Sequence, residues 1–145
     1  MKFDNILVVC VGNICRSPTA EAMLKARYPS RVVHSAGVGA LVDKPVDGKA
    51  AALLEKAGLP YQDHKARQLT SELAQQADLI LVMEPGHVGA VTEIAPFARG
   101  KTFLLGKWLQ DTSIPDPYRQ SEEAFEHVFQ LMDKACKSWE RVLGK

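Results

Sequence analysis

The 145-residue chain predicts a single α/β domain of three layers, a four-stranded parallel sheet with helices on both faces. Three observations lead there. Continuous apolar runs of strand length recur, helix-period stretches lie between them, and no repeat, low-complexity tract or linker interrupts the alternation. Strand and helix in alternation build a parallel sheet covered on both sides. Right-handed crossovers then distribute the helices over the two faces. The length suits one domain with a sizeable core.

The elements follow in order. "NILVVC" (Asn5 to Cys10) is a continuous apolar run and the first strand. "PTAEAMLKARY" reads as a helix with Ser17 as N-cap and Pro18 at the first helical position, where its missing N–H costs nothing. "RVVHSAG" (Arg31 to Gly37) is a weaker strand. Ala50, Leu53, Leu54 and Ala57 keep helical spacing after Asp47, and Gly58 ends that helix. "ADLILVM" (Ala77 to Met83) is a strand flanked by helices near Ser71 to Gln76 and Gly86 to Ile94. "KTFLLG" (Lys101 to Gly106) is the last strand. Phe125, Val128, Met132, Ala135, Trp139 and Val142 make one apolar stripe along a C-terminal helix, with Cys136 at its edge as packing.

Composition excludes several classes. The net charge of +1 gives no reason to expect nucleic acid or an anionic membrane as partner. No run approaches the roughly 20 apolar residues of a membrane span, and "MKFDNILVV" is too short an apolar run for a signal peptide. Three cysteines exclude a full disulfide framework, and reduced thiols in a cytoplasmic protein are the simplest reading.

The chemistry gathers where the first strand ends. "VCVGNICRSPTAE" places Cys10, five residues, then Arg16 and Ser17 between a strand and a helix. Ligands of parallel sheets bind beyond such carboxyl ends. Backbone N–H groups of the loop and a helix N-terminus converge there on an anion. Gly12 suits the backbone angles of a tight cradle, and Asn13 tolerates left-handed angles and can bond its own loop. The same donors would stabilise a Cys10 thiolate, with Ser17 donating to the sulfur. Arg16 offers a planar fork to two oxygens. A thiolate beneath a bound oxyanion is a nucleophile aimed at its central atom, so these parts suit phosphoryl transfer through a phosphocysteine. Two bland alternatives stand beside this one. C-x4-C occurs in metal sites, although no second pair lies at ligand spacing, and Cys10 could be a buried residue of a structural loop.

The motif resembles the phosphate-binding loop of the low-molecular-weight protein tyrosine phosphatases, V-C-x-G-N-x-C-R-S-P. "IPDPYR" (Ile114 to Arg119) resembles that family's late Asp-Pro-Tyr motif, and "HKARQ" beginning at His64 resembles its His-x-Ala-Arg-Gln segment. Order, spacing and length agree over essentially the whole chain. The resemblance implies Cys10 as nucleophile, Arg16 as phosphate and transition-state ligand, and Asp116 as general acid and then base. Asp-Pro by itself is ordinarily a turn, and Pro115, Pro117 and Tyr118 predict an apolar setting for the acid. Val11, Gly12, Asn13, Ile14, Cys15 and Ser17 would line the phosphate site, with Leu41 and Tyr118 at the rim. His64 would bond the loop from behind, while His34, His87 and His127 fit ordinary surface or core positions. Cys15 would form a reversible disulfide with Cys10 that protects it from over-oxidation. No metal or organic cofactor is implied, because Arg16 and the loop supply the positive charge.

The same residues speak to several rival functions. "ARGKT" (Ala98 to Thr102) resembles the end of a nucleotide loop, but Ala95 stands where its first glycine belongs and a strand follows. Thiol-dependent arsenate reductases share the fold and loop, but "VMEPGHVGAV" lacks their relay cysteines. Phosphoarginine phosphatases carry threonine where Ile14 stands, and isoleucine favours an aromatic leaving group. A non-catalytic phosphotyrosine-binding module would lack Cys10, Arg16 or Asp116. "GALV" (Gly39 to Val42) resembles bacterial members that accompany capsule and exopolysaccharide export. Their partners are autophosphorylating tyrosine kinases of the inner membrane. The resemblance therefore implies a cytoplasmic monomer that dephosphorylates such a kinase and is not embedded in the membrane.

Overall fold

A computed structural model describes residues 3–144. Four parallel strands run in the order β2-β1-β3-β4: β1 Asn5–Cys10, β2 Val32–Gly37, β3 Leu79–Val82 and β4 Thr102–Leu104. The helices are α1 Arg16–Arg27, α2 Gly48–Lys56, α3 Ser71–Gln76, α4 Pro85–Ile94, α5 Glu122–Ser138 and α6 Glu140–Leu143. The three-layer α/β architecture expected from the sequence is the one observed.

Strand periodicity divides the core. Ile6, Val8 and Cys10 face Met23 and Leu24 of α1 and Val128 and Met132 of α5. Leu7 and Val9 face the other way, with Ala74 of α3 and Val91 of α4. Both faces of β1 are therefore buried, which is why its apolar run is continuous rather than alternating. Burial of each such aliphatic side chain contributes roughly 1.5–3 kcal/mol. A third cluster joins Ile14 and Cys15 to Ala50 and Leu54 of α2 and Phe125 of α5. That cluster fixes the loop after β1 against two helices.

Four expectations need correction. Helix α1 begins at Arg16, with Cys15 at the N-cap position and no side-chain cap, so Ser17 lies inside the first turn. Its hydroxyl is engaged by Cys10 and Asn13 and does not turn back to cap the helix. The C-terminal stripe is not one helix. The chain breaks at Trp139, whose indole N–H donates to Leu105 O at 2.8 Å, and Leu143 rather than Val142 is then buried. Cys136 packs as expected, but in the core itself, fully buried, and not at the stripe's edge. Finally, β4 is shorter than "KTFLLG" because Pro96–Lys101 form a 3-10 turn. "ARGKT" thus lies in that turn and the strand start, not in a strand-to-helix loop.

Candidate active site

Cys10 ends β1 opposite Gly37 of β2, and the chain then curls through residues 11–15 into α1. The loop's carbonyls are all occupied. Cys10, Val11, Gly12 and Ile14 accept from the amides of Val38, Gly39, Leu41 and Asp47 at 2.8–3.0 Å. His64 Nε2 donates to Asn13 O at 2.7 Å, and Thr19 N and Oγ1 donate to Cys15 O. A planar trans peptide with its carbonyl turned outward presents the next N–H inward. No described residue accepts from the amides of Gly12, Asn13, Ile14 or Cys15. Donors that have no protein partner and converge on one concavity make an anion cradle.

Asn13 is the hub of that curl. Its φ of 59° is the left-handed turn that bends the loop. Gly12, which the sequence marked for unusual angles, is not in the left-handed region. A Cβ there would make ordinary contacts with Ile14 and Leu41, so the position leaves the pocket wall open rather than relieving strain. The Asn13 amide donates to Ser17 Oγ at 2.7 Å and Ser35 Oγ at 3.0 Å, and its oxygen accepts from Arg67 N at 2.9 Å. Ser17 Oγ lies 2.9 Å from Cys10 Sγ. Since Asn13 already donates to that oxygen, the hydroxyl hydrogen is free to point at the sulfur. The floor of the site is therefore a buried sulfur held by a donor.

Arg16 is 2% exposed. Its Nη1 donates to Glu84 Oε2 at 2.5 Å and to Ile114 O at 2.7 Å. Both hydrogens of Nη1 are thus engaged, and the Nε–Nη2 edge is the fork left for an oxyanion. Asp116 Oδ2 stands 3.7 Å from Nη2, and its Oδ1 accepts from Tyr118 N at 3.0 Å. The Asp116 side chain is 48% exposed with a guanidinium as neighbour, so the apolar setting expected for it is not found. Cys10, Val11, Gly12, Ile14, Cys15 and Arg16 line a cavity of about 180 Å³, and Gly39, Leu41, Asp116 and Tyr118 complete its rim. Burial, and then the neighbouring Cys10, push the Cys15 thiol well above its usual range. Among the described residues, no three His, Cys, Asp or Glu side chains gather as a metal site.

A family model described as low molecular weight phosphotyrosine protein phosphatase matches residues 5–145. This chain belongs to that family. Over 145 residues it is 49% identical to the low molecular weight protein-tyrosine-phosphatase Etp of Escherichia coli strain K12, spanning 100% of this chain and 98% of that protein. Wzb of Vibrio vulnificus, solved in complex with benzylphosphonate, superposes with a TM-score of 0.94 at 51% identity, covering 97% of this chain and 99% of that one. The arginine phosphatase YwlE of Geobacillus stearothermophilus shares the fold at a TM-score of 0.90 and 31% identity, covering 98% of this chain and 93% of that one.

In this phosphatase, Cys10, Val11, Gly12, Ile14, Cys15, Arg16, Leu41, Asp116 and Tyr118 meet around one cavity, and Asn13, Ser17 and His64 bond its loop. The structure also adds residues that the sequence did not mark. Glu84 holds Arg16, and Ser35 and Arg67 hold Asn13. Gln68 ties the rim turn after β2 by accepting from Ala40 N and donating to Val38 O. His87 is buried, as an ordinary core position would be, and its Nε2 lies 3.9 Å from Glu84 Oε2. A signal existed for Glu84: it directly follows the apolar run of β3, at the sheet end where ligands bind.

Proposed function

We propose that this phosphatase hydrolyses phosphotyrosine in proteins through a phosphocysteine. The observation that carries the reading is the alignment of Cys10 Sγ at the cavity floor, the free Arg16 edge above it and Asp116 at the mouth. A phosphoryl group would seat on the loop amides and the Arg16 fork. The Cys10 thiolate forms an S–P bond as the P–O bond to tyrosine breaks, and Asp116 gives its proton to the departing oxygen. Water then attacks phosphorus, Asp116 takes its proton, and the S–P bond breaks to return thiolate and inorganic phosphate. Charge developing on the equatorial oxygens meets donors that are already in place. Asn13, Ser17 and His64 hold the loop's shape. Val11, Leu41 and Tyr118 form the wall and rim.

Phosphotyrosine is favoured over phosphoarginine by Ile14, which fills the wall with an apolar surface. Benzylphosphonate in the related Wzb is likewise a flat aryl group carrying phosphorus. The reading extends to a cytoplasmic monomer acting on an inner-membrane tyrosine autokinase in capsule or exopolysaccharide production, supported by the "GALV" rim. Among the described residues no helix is long and apolar enough to cross a membrane. We include in it a protective Cys10–Cys15 disulfide.

The deciding experiment compares kcat/KM for a phosphotyrosine peptide and a phosphoarginine peptide without added metal. Preference for phosphotyrosine is expected, and Cys10→Ser should abolish turnover while retaining phosphate binding. Preference for phosphoarginine would overturn the substrate assignment. Turnover by Cys10→Ser would overturn the nucleophile.

A further inference from the structure

We infer that Glu84 is a positioning residue that fixes which edge of Arg16 meets the substrate. The inference rests on the phosphoryl-transfer reading of the site and adds to it a residue outside the family motifs quoted above.

Three independent observations point the same way. First, Arg16 is almost wholly buried, and its Nη1 is gripped from two sides by Glu84 Oε2 and Ile114 O. A guanidinium has five donors in a rigid plane. Fixing both hydrogens of one terminal nitrogen fixes the plane and leaves Nε and Nη2 toward the cavity. Ile114 O alone would leave rotation about the remaining bonds open, so the second acceptor locks the orientation.

Second, Glu84 occupies the N-cap position of α4, and its side chain makes no capping bond. Ser, Thr, Asp or Asn would cap that helix better. The residue forgoes local stability, and its carboxylate reaches Arg16 instead. A local rule broken beside the reacting group marks function rather than folding.

Third, His87 lies buried beside the carboxylate, and among the described residues its Nδ1 has no hydrogen-bond partner. Burial, and then the charge of Arg16, lower its pKa from 6.5. A neutral imidazole does not compete with Arg16 for Glu84, as an imidazolium 3.9 Å away would. The pair Glu84 and His87 thus keeps the carboxylate on the guanidinium.

A negative charge this close to a phosphate site repels a dianionic substrate through space. Its presence makes sense only if orientation of Arg16 matters more than that repulsion. The loop amides already hold the ground-state phosphate. The lock should therefore act on the transition state and appear in kcat more than in KM.

The test measures kcat and KM on a phosphotyrosine peptide for wild type, Glu84→Ala and Glu84→Gln, with thermal unfolding midpoints of all three. Glu84→Ala is expected to lower kcat on the order of 10- to 100-fold with KM changed by less than about 3-fold. Glutamine keeps an acceptor for Nη1, so Glu84→Gln should recover most of that loss. Alanine kcat within about 2-fold of wild type would overturn the inference. So would a glutamine variant that folds like wild type yet is as impaired as alanine. A lower unfolding midpoint with kcat intact would show a helix-end role only, and would also overturn it. Wild type serves as the control for the reading beneath: an inactive wild type refutes phosphatase chemistry, whereas an active wild type beside an equally active alanine variant refutes only the role of Glu84.

Discussion

Cys15 and Cys10 line the same cavity, and the proposed function gives them opposite jobs. Burial keeps Cys15 a thiol, so at rest it does not attack phosphorus. In the proposed protective reading, it becomes useful when peroxide converts the Cys10 thiolate to a sulfenic acid. Cys15 sulfur then attacks Cys10 sulfur, the S–O bond breaks, and the oxygen leaves as water with the Cys15 proton. Peptide mapping by mass spectrometry after mild peroxide should show a Cys10–Cys15 crosslink in wild type and irreversible sulfinic acid on Cys10 in Cys15→Ser. A stable sulfinic acid in wild type would refute the protective role. At this scale, residue types were legible because each has one job: sulfur to attack, a planar fork to bind, a hydroxyl to hold the sulfur. The role proposed for Asp116 came only by resemblance, since an Asp-Pro pair looks like any turn. The half-exposed setting of Asp116 was not legible at all.

At the scale of elements, the strands and most helices followed from period and punctuation. Asp47 accepts from Lys49 N and Ala50 N as a capping residue should, and the helix it starts ends just before Gly58, φ 73°. The start of α1 was misplaced because the loop's hydrogen bonds take Ser17 away from capping. The end of β2 carries the strongest element-level constraint. Gly37 pairs with Cys10, and a Cβ there would lie 2.3 Å from Val11 O and 3.1 Å from Asn13 N. Both atoms are backbone of the phosphate cradle and cannot give way like a side-chain tip. Gly37→Ala should cost on the order of 1–3 kcal/mol in urea unfolding. Because the strain falls on the loop, kcat/KM on a phosphotyrosine peptide should drop with it. An alanine variant with wild-type stability and activity would show that the strand end is not seated against the loop.

At the scale of the whole molecule, the cradle exists only when several distant segments close around it. Residues 10–17, 35–41 and 64–68, together with Glu84, Ile114 and Asp116, all contribute. An oxyanion that binds the folded site and not the unfolded chain must therefore raise global stability. Inorganic phosphate at about 100 times its dissociation constant should add roughly 2.7 kcal/mol, a shift in Tm on the order of 5–10 °C for a domain of this size. Cys10→Ser should show the same shift, because the amides and Arg16 remain. Arg16→Ala should show a smaller shift, carried by the loop amides that remain. A thermal scan with and without phosphate checks all three, and no shift in wild type would mean the cradle is not an oxyanion site.

The sequence by itself determined the α/β class, the strand-to-helix loop and the C-x5-R-S motif within it. Those features are local: they are set by side-chain period, by turn residues and by residue types within a few positions of one another. Only the tertiary structure decided which edge of Arg16 is free, because its partners Glu84 and Ile114 lie 68 and 98 residues away. It likewise decided that Gly37 abuts the loop and that His87 backs Glu84. Contacts across such separations depend on strand order and crossover packing, and no local pattern of residues encodes them.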